Sequence, residues 1–136
     1  MDLMSFFKND RFAALAGVEL LEVREGYAKA RMMVTAENHL NGGGICQGGA
    51  LFTLADLAFA AAVNSHGVLT FSTTSSITYL SAVPAGGYVY AEATELADHH
   101  RLPLAEVRLT DEEGRLVAVF MSSGYRKGRP SGQSGN

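Results

Sequence analysis

The sequence predicts an α+β domain in which a curved antiparallel sheet wraps around one long central helix. Three observations lead there. Residues 50–63 are rich in strong helix formers and apolar on every face except at Thr53 and Asp56, as a buried helix requires. Segments on both sides of that helix alternate apolar and polar residues with the period of two that marks half-buried strands. The order is strands, one helix, then a run of strands, which excludes an alternating βαβ architecture.

The elements follow in chain order. Residues 6–16 are expected to form a short amphipathic helix with Phe7, Phe12 and Leu15 as its apolar positions. Between Val18 and Val34, Ala28, Ala30, Met32 and Val34 fall on one side and Lys29 and Arg31 on the other, and Gly26 permits a bend between two strand segments. Residues 38–49 form a loop in which five of twelve residues are glycine. After the helix, strands are expected near 69–80, 88–98, 102–110 and 115–125. Pro84-Ala85-Gly86-Gly87 and Asp111-Glu112-Glu113-Gly114 supply turns. Val89, Ala91 and Ala93 alternate with polar neighbours, whereas 116–121 are apolar on both sides, as in an interior strand. Residues 127–136 read as a flexible C-terminal tail, leaving 1–126 as a single domain.

Composition narrows the function. The chain has 136 residues, 47% hydrophobic and 18% charged, with a net charge of −3. That is one globular core with no basic field, so nucleic acid is not an expected partner. Cys46 is the single cysteine, so no intramolecular disulfide forms, in keeping with a reducing compartment. The N-terminus lacks the basic start and apolar run of a signal peptide, and no stretch is long enough to span a bilayer; a cytoplasmic protein is expected.

Asp56 carries the most information. An ionised carboxylate in an apolar helix costs several kcal/mol unless it is paired or solvated. Either it accepts hydrogen bonds from a neighbouring loop or subunit, or it does chemistry. The preceding glycine loop favours chemistry. At Gly48 and Gly49 the first helical N–H groups lack intrahelical acceptors and carry the positive end of the helix dipole, so they can hold a developing oxyanion. Asn41 and Gln47 flank the loop, and each side-chain amide can polarise a carbonyl, place a water or cap the loop. His39 is a lone loop histidine, expected to be solvated, and a Cys46–His39 nucleophile pair finds no support because nothing adjacent would lower the thiol pKa. Within the run 72–76, Ser72, Thr74 and Ser76 should face one way and Thr73 and Ser75 the other. Arg101, Arg126, Lys127 and Arg129 are candidate phosphate ligands. No His, Cys or carboxylate cluster has metal-ligand spacing, so no metal and no resident cofactor are expected.

The stretch 41–64, an Asn, a glycine loop ending in Gln47-Gly48-Gly49, then a helix with Asp56 two turns in, resembles the signature of the PaaI-type hotdog acyl-CoA thioesterases. Ser76-Ile77-Thr78-Tyr79-Leu80 and Val117-Ala118-Val119-Phe120 resemble that family's following and closing strands, and the likeness covers roughly 10–126. The resemblance implies a hotdog fold and hydrolysis of acyl-CoA, with coenzyme A entering only as part of the substrate. The expected substrate is phenylacetyl-CoA or a related aryl or medium-chain ester. It implies Asp56 as nucleophile or general base, Gly48 or Gly49 as the oxyanion donor, and Asn41 as the amide that orients water or carbonyl. Ser72 or Thr74 would be a hydroxyl offered across a subunit interface, with Arg101 and Arg126 at the coenzyme A phosphates. It also implies a homodimer or homotetramer with the site between subunits. Gln47 stands where the family has His. The rival readings are a non-catalytic acyl-CoA-binding module or sensor, and a hotdog dehydratase, which would need a site histidine.

Overall fold

The computed structural model describes residues 2–128. The chain begins with two short helices, α1 (Leu3–Phe7) and α2 (Arg11–Leu15), then a hairpin of β1 (Val18–Arg24) and β2 (Tyr27–Met33). The long helix α3 (Gly48–Val63) follows, and then β3 (Thr70–Tyr79), β4 (Tyr88–Ala97), β5 (Leu104–Thr110) and β6 (Leu116–Arg126). The six strands form one sheet in the order β1-β2-β4-β5-β6-β3, with every neighbouring pair antiparallel. This is the hotdog architecture: α3 lies in the concave face of the sheet.

That face is lined with small side chains. Ala28 and Ala30 of β2, Ala91 and Ala93 of β4 and Ala105 of β5 are all fully buried. They let Leu54, Ala55, Ala58 and Ala62 of α3 pack close against the sheet, so that well-packed apolar area offsets the ordering of the chain. Gly26, at φ 72, closes the β1–β2 turn in a backbone conformation that a side chain disfavours.

Three expectations need correction. The helix over 6–16 is two five-residue helices. Asp10 adopts an extended conformation between them, and its carboxylate caps α2 by accepting from the Ala13 N–H at 3.0 Å. Ala13 is the buried residue of α2, while Phe12 and Leu15 are 69% and 78% exposed, so the expected apolar face is turned outward. Second, α3 is not covered all round: Gly49, Thr53, Asp56 and Ala60 form a stripe that the sheet leaves partly accessible. Third, the tail does not start at 127, because the Lys127 N–H donates to the Leu69 carbonyl at 2.8 Å. The remainder of the expected tail, with Arg129, lies outside the described residues.

Candidate active site

The glycine loop is shaped by its own polar groups. The Asn41 side-chain oxygen accepts from the N–H groups of Gly43 (2.9 Å) and Ile45 (3.2 Å), and the Gly44 N–H donates to the Asn41 carbonyl. Gly44 adopts φ 81, a left-handed conformation that favours glycine. Asn41 thus builds the loop, and only its amide hydrogens remain to donate.

Gln47 is the N-cap of α3, with its side-chain oxygen accepting from the Gly49 N–H at 2.9 Å. A Cβ added at Gly49 would lie 2.5 Å from that oxygen, so a side chain there would push the Gln47 amide aside. The cap also separates the two oxyanion candidates. Gly49 spends its N–H on Gln47, whereas the Gly48 N–H has no acceptor among the described residues. Gly48 is therefore the open donor at the positive end of the α3 dipole.

Tyr79, at the end of β3, is the residue that sequence reasoning missed. Its hydroxyl donates to the Gly48 carbonyl at 2.8 Å, and a Cβ at Gly48 would lie 2.7 Å from the ring. Only the register of β3 against β6 brings Tyr79 to the start of α3; nothing in its sequence neighbourhood signals the contact. Tyr79, Gly48, Asn41, Ile45, Cys46 and Leu51 help line a cleft of about 390 Å³ beside the loop.

Asp56 is half-buried on the accessible stripe of α3, two turns into the helix. Among the described residues its carboxylate makes no hydrogen bond. Thr53 does not help, because its hydroxyl donates to the Gly49 carbonyl at 2.8 Å. Burial, and secondarily the charge of Asp10, pushes the Asp56 carboxyl above its ordinary range. The alternative of a carboxylate held by hydrogen bonds from a loop of the same chain is therefore not what the structure shows.

Other candidates are placed differently from expectation. His39 is buried rather than solvated: its Nδ1 accepts from the Thr35 N–H (2.9 Å) and its Nε2 meets the Ala16 carbonyl at 2.7 Å. Both ring nitrogens are thereby committed, and His39 pins α2 to the loop. Burial pushes the Cys46 thiol up to about 11, so it stays protonated at neutral pH and makes no nucleophile with His39.

Ser72 and Thr74 do not share a face. A bulge between them shifts the register, so Ser72 pairs opposite buried Gly124 and faces α3, while Thr74 pairs opposite Ser123 and faces away. Ser75 takes the inner position instead, with its hydroxyl 2.7 Å from that of Ser122.

Arg126 is 1% exposed, and its Nη1 donates to Asp98 at 2.7 Å, so it is a buried structural cation rather than an open phosphate ligand. Arg101 is half-buried and donates to the Arg126 carbonyl at 2.8 Å. Both sit at the Thr70 end of β3, roughly 30 Å along the strand from Tyr79 and Gly48 at ~3.3 Å per residue.

The comparisons with known proteins agree with this geometry. A family model for the thioesterase superfamily matches residues 43–118, the span from the glycine loop into β6. A protein of Archaeoglobus fulgidus whose name places it among the esterases is 40% identical over 120 residues, covering 88% of this chain and 77% of that one. The acyl-coenzyme A thioesterase PaaI of Escherichia coli is 32% identical over 124 residues, covering 91% of this chain and 88% of its own. The structure of that E. coli protein superposes with a TM-score of 0.87, over 93% of this chain and 91% of the other. A thioesterase-type protein of Streptococcus pneumoniae solved with coenzyme A is 26% identical with a TM-score of 0.82, over 92% and 99% of the two chains. With the family model matching residues 43–118 and the E. coli thioesterase matching 91% of the chain, the chain belongs to the thioesterase superfamily, as a PaaI-type hotdog thioesterase.

Proposed function

We propose that this protein hydrolyses acyl-CoA thioesters to free acid and coenzyme A, with Asp56 as the reacting carboxylate. The observation that carries the reading is an unpaired, half-buried carboxylate two turns from a helix start whose first N–H is unclaimed. The thioester carbonyl oxygen would sit on the Gly48 N–H, where the α3 dipole favours the charge that develops as the carbonyl is attacked. Asp56 would either take the proton of the attacking water or attack the carbonyl itself, and the C–S bond would break to release coenzyme A. Asn41, through its amide hydrogens, is the group to orient water or carbonyl. Ser72, on the inner face of β3, is the better placed of the two hydroxyl candidates to be offered to a neighbouring subunit.

The substrate would be phenylacetyl-CoA or a related aryl or medium-chain ester. The E. coli relative with that structure is described as coming from the phenylacetic acid degradation operon, and the cleft beside Gly48 has apolar walls from Ile45, Leu51 and Leu80. Coenzyme A would enter as part of the substrate, and Arg101, at the far end of β3 from Gly48, would reach its phosphates only across a subunit boundary. A cytoplasmic location suits that substrate, and no helix among the described residues is long and apolar enough to cross a membrane.

The two sheet edges support self-association. The β1 edge carries Glu19, Glu22 and Arg24 and is bulged between Leu20 and Glu22, features that discourage strand pairing. The β3 edge is ten residues long, without a charge or a proline. Such an edge suits a second copy of the chain, which would also enclose the partly accessible Asp56 stripe and complete the site. Homodimers, or tetramers built from them, are the expected species.

Two results are expected from the geometry. Turnover should require ionised Asp56, so kcat/KM should fall as pH drops through its raised pKa. The acid limb should lie above the ordinary carboxyl range, and an acid limb inside that range would count against Asp56 as the reacting base. The Gln47→His variant should stay within a few-fold of wild type, because an imidazole can still cap Gly49. A complete loss of kcat in that variant would assign Gln47 a specific part in the chemistry. The test of the function itself is thiol release from a panel of acyl-CoAs that includes phenylacetyl-CoA. Hydrolysis ranks the substrates; tight binding of every ester without release would replace the enzyme with a ligand-binding module.

A further inference from the structure

At the end of α3 farthest from the glycine loop, four chain segments bring charged groups together. His66 follows α3, Glu95 and Asp98 lie at and beyond the end of β4, Arg126 ends β6, and Glu25 sits in the β1–β2 turn. His66 Nε2 lies 2.7 Å from Glu95 Oε1 and 3.6 Å from Asp98 Oδ1, and one donor atom from each of the three residues falls within 4.8 Å of the others. His66 Nδ1 faces Glu25 Oε1 at 3.7 Å.

We propose that His66, Glu95 and Asp98 form a binding site for one divalent cation of the zinc class. The ligand types suit that ion: one imidazole and two carboxylates make the three-protein-ligand set that zinc accepts with a further position open to water. Glu25 Oε1, 3.7 Å from the other ring nitrogen, is near enough to take that N–H once a metal holds Nε2, as an orienting carboxylate commonly does. His66 Nε2 and Glu95 Oε1 stand at hydrogen-bond distance, so a ring proton bridges them when no cation is bound.

Two further observations favour the cation. The Glu95 side chain is only 6% exposed, and its Oε2 has no hydrogen-bond partner. A proton on His66 satisfies one carboxylate oxygen and leaves the other buried and unmet, whereas a cation can be ligated by both. Charge points the same way. With neutral His66, three carboxylates face one guanidinium, whose Nη1 holds Asp98 at 2.7 Å while its Nη2 stays 3.7 Å from Glu95. A divalent ion neutralises the remaining two negative charges and a single proton does not. Sequence spacing concealed the site, since His66 precedes Glu95 by 29 residues and only the sheet brings them together.

The test is calorimetric titration of chelator-treated protein with Zn²⁺, with thermal unfolding followed in parallel. One equivalent per chain and a raised Tm are expected for wild type. Binding should be lost in His66→Gln, weakened at least tenfold in Asp98→Asn, and weakened about tenfold in Glu25→Gln, the usual effect of removing an orienting carboxylate. Asp98 is 53% exposed, so its variant keeps the test open even where His66→Gln folds poorly. The double variant His99→Asn/His100→Asn should retain the site, separating it from the neighbouring exposed imidazoles. No uptake by wild type, or equal uptake by the Asp98 variant, overturns the proposal and leaves His66 the hydrogen-bond partner of Glu95. Thiol release is scored separately and does not bear on the outcome.

Discussion

The Asp56→Asn variant is expected to keep its fold and lose turnover by at least about 10²–10⁴-fold, the usual contribution of a positioned acid–base group. Its effect on stability should run the other way. The Asp56 carboxyl is raised above its ordinary range by burial, so the folded protein binds its proton more tightly than the unfolded chain does. Above the raised pKa the ionised group therefore destabilises the fold, and the penalty disappears only as pH falls through it. Asparagine carries no charge to desolvate, so Tm at neutral pH should stay level or rise. That pairing separates a reacting group from a structural one, because a carboxylate kept for its hydrogen bonds would lower Tm when replaced. Thiol release and thermal unfolding on the same preparation decide it. A variant as active as wild type would remove Asp56 from the mechanism, and an unfolded one would return it to a structural role.

The second large effect concerns the β3 edge. Under the proposed pairing of two chains through this strand, Thr74→Lys/Ser76→Lys should convert the assembly to monomers. Thr74 faces away from α3 and both residues are exposed, so the lysines leave the monomer core untouched while placing like charges along the shared edge. Thiol release should drop at least about 10²-fold, as for loss of an essential group. Sedimentation velocity and activity on one sample are the check. Fully active monomers would show that one chain completes the site alone. An intact oligomer would move the interface to another face of the sheet.

What the sequence showed of the site, and what it hid, both have local causes. Asp56 stood out because a charge in an apolar helix is conspicuous without coordinates, and its unpaired state in the structure agrees with that suspicion. The loop glycines were equally visible, yet sequence could not choose between Gly48 and Gly49. The choice rests on where the Gln47 amide turns, which is a rotamer set by its neighbours. Ser72 and Thr74 were grouped by strict alternation, and one bulge puts them on opposite faces. Arg126 looked like a surface cation because charged residues near a strand end generally are, but the register drives it under the loop beside Asp98.

The sequence by itself determined the fold class, the strand and helix order, the inward set Ala28, Ala30, Met32, Val89, Ala91 and Ala93, and the glycine loop leading into a helix that carries Asp56. These are matters of period and residue type, which act over a few neighbours and survive without tertiary context. Only the tertiary structure decided the break at Asp10, the commitment of His39, the contact of Tyr79 with Gly48, and the gathering of His66, Glu95, Asp98 and Arg126. Each depends on which distant segments the sheet sets side by side. Strand register fixes those distances to within a residue, and local sequence does not encode it.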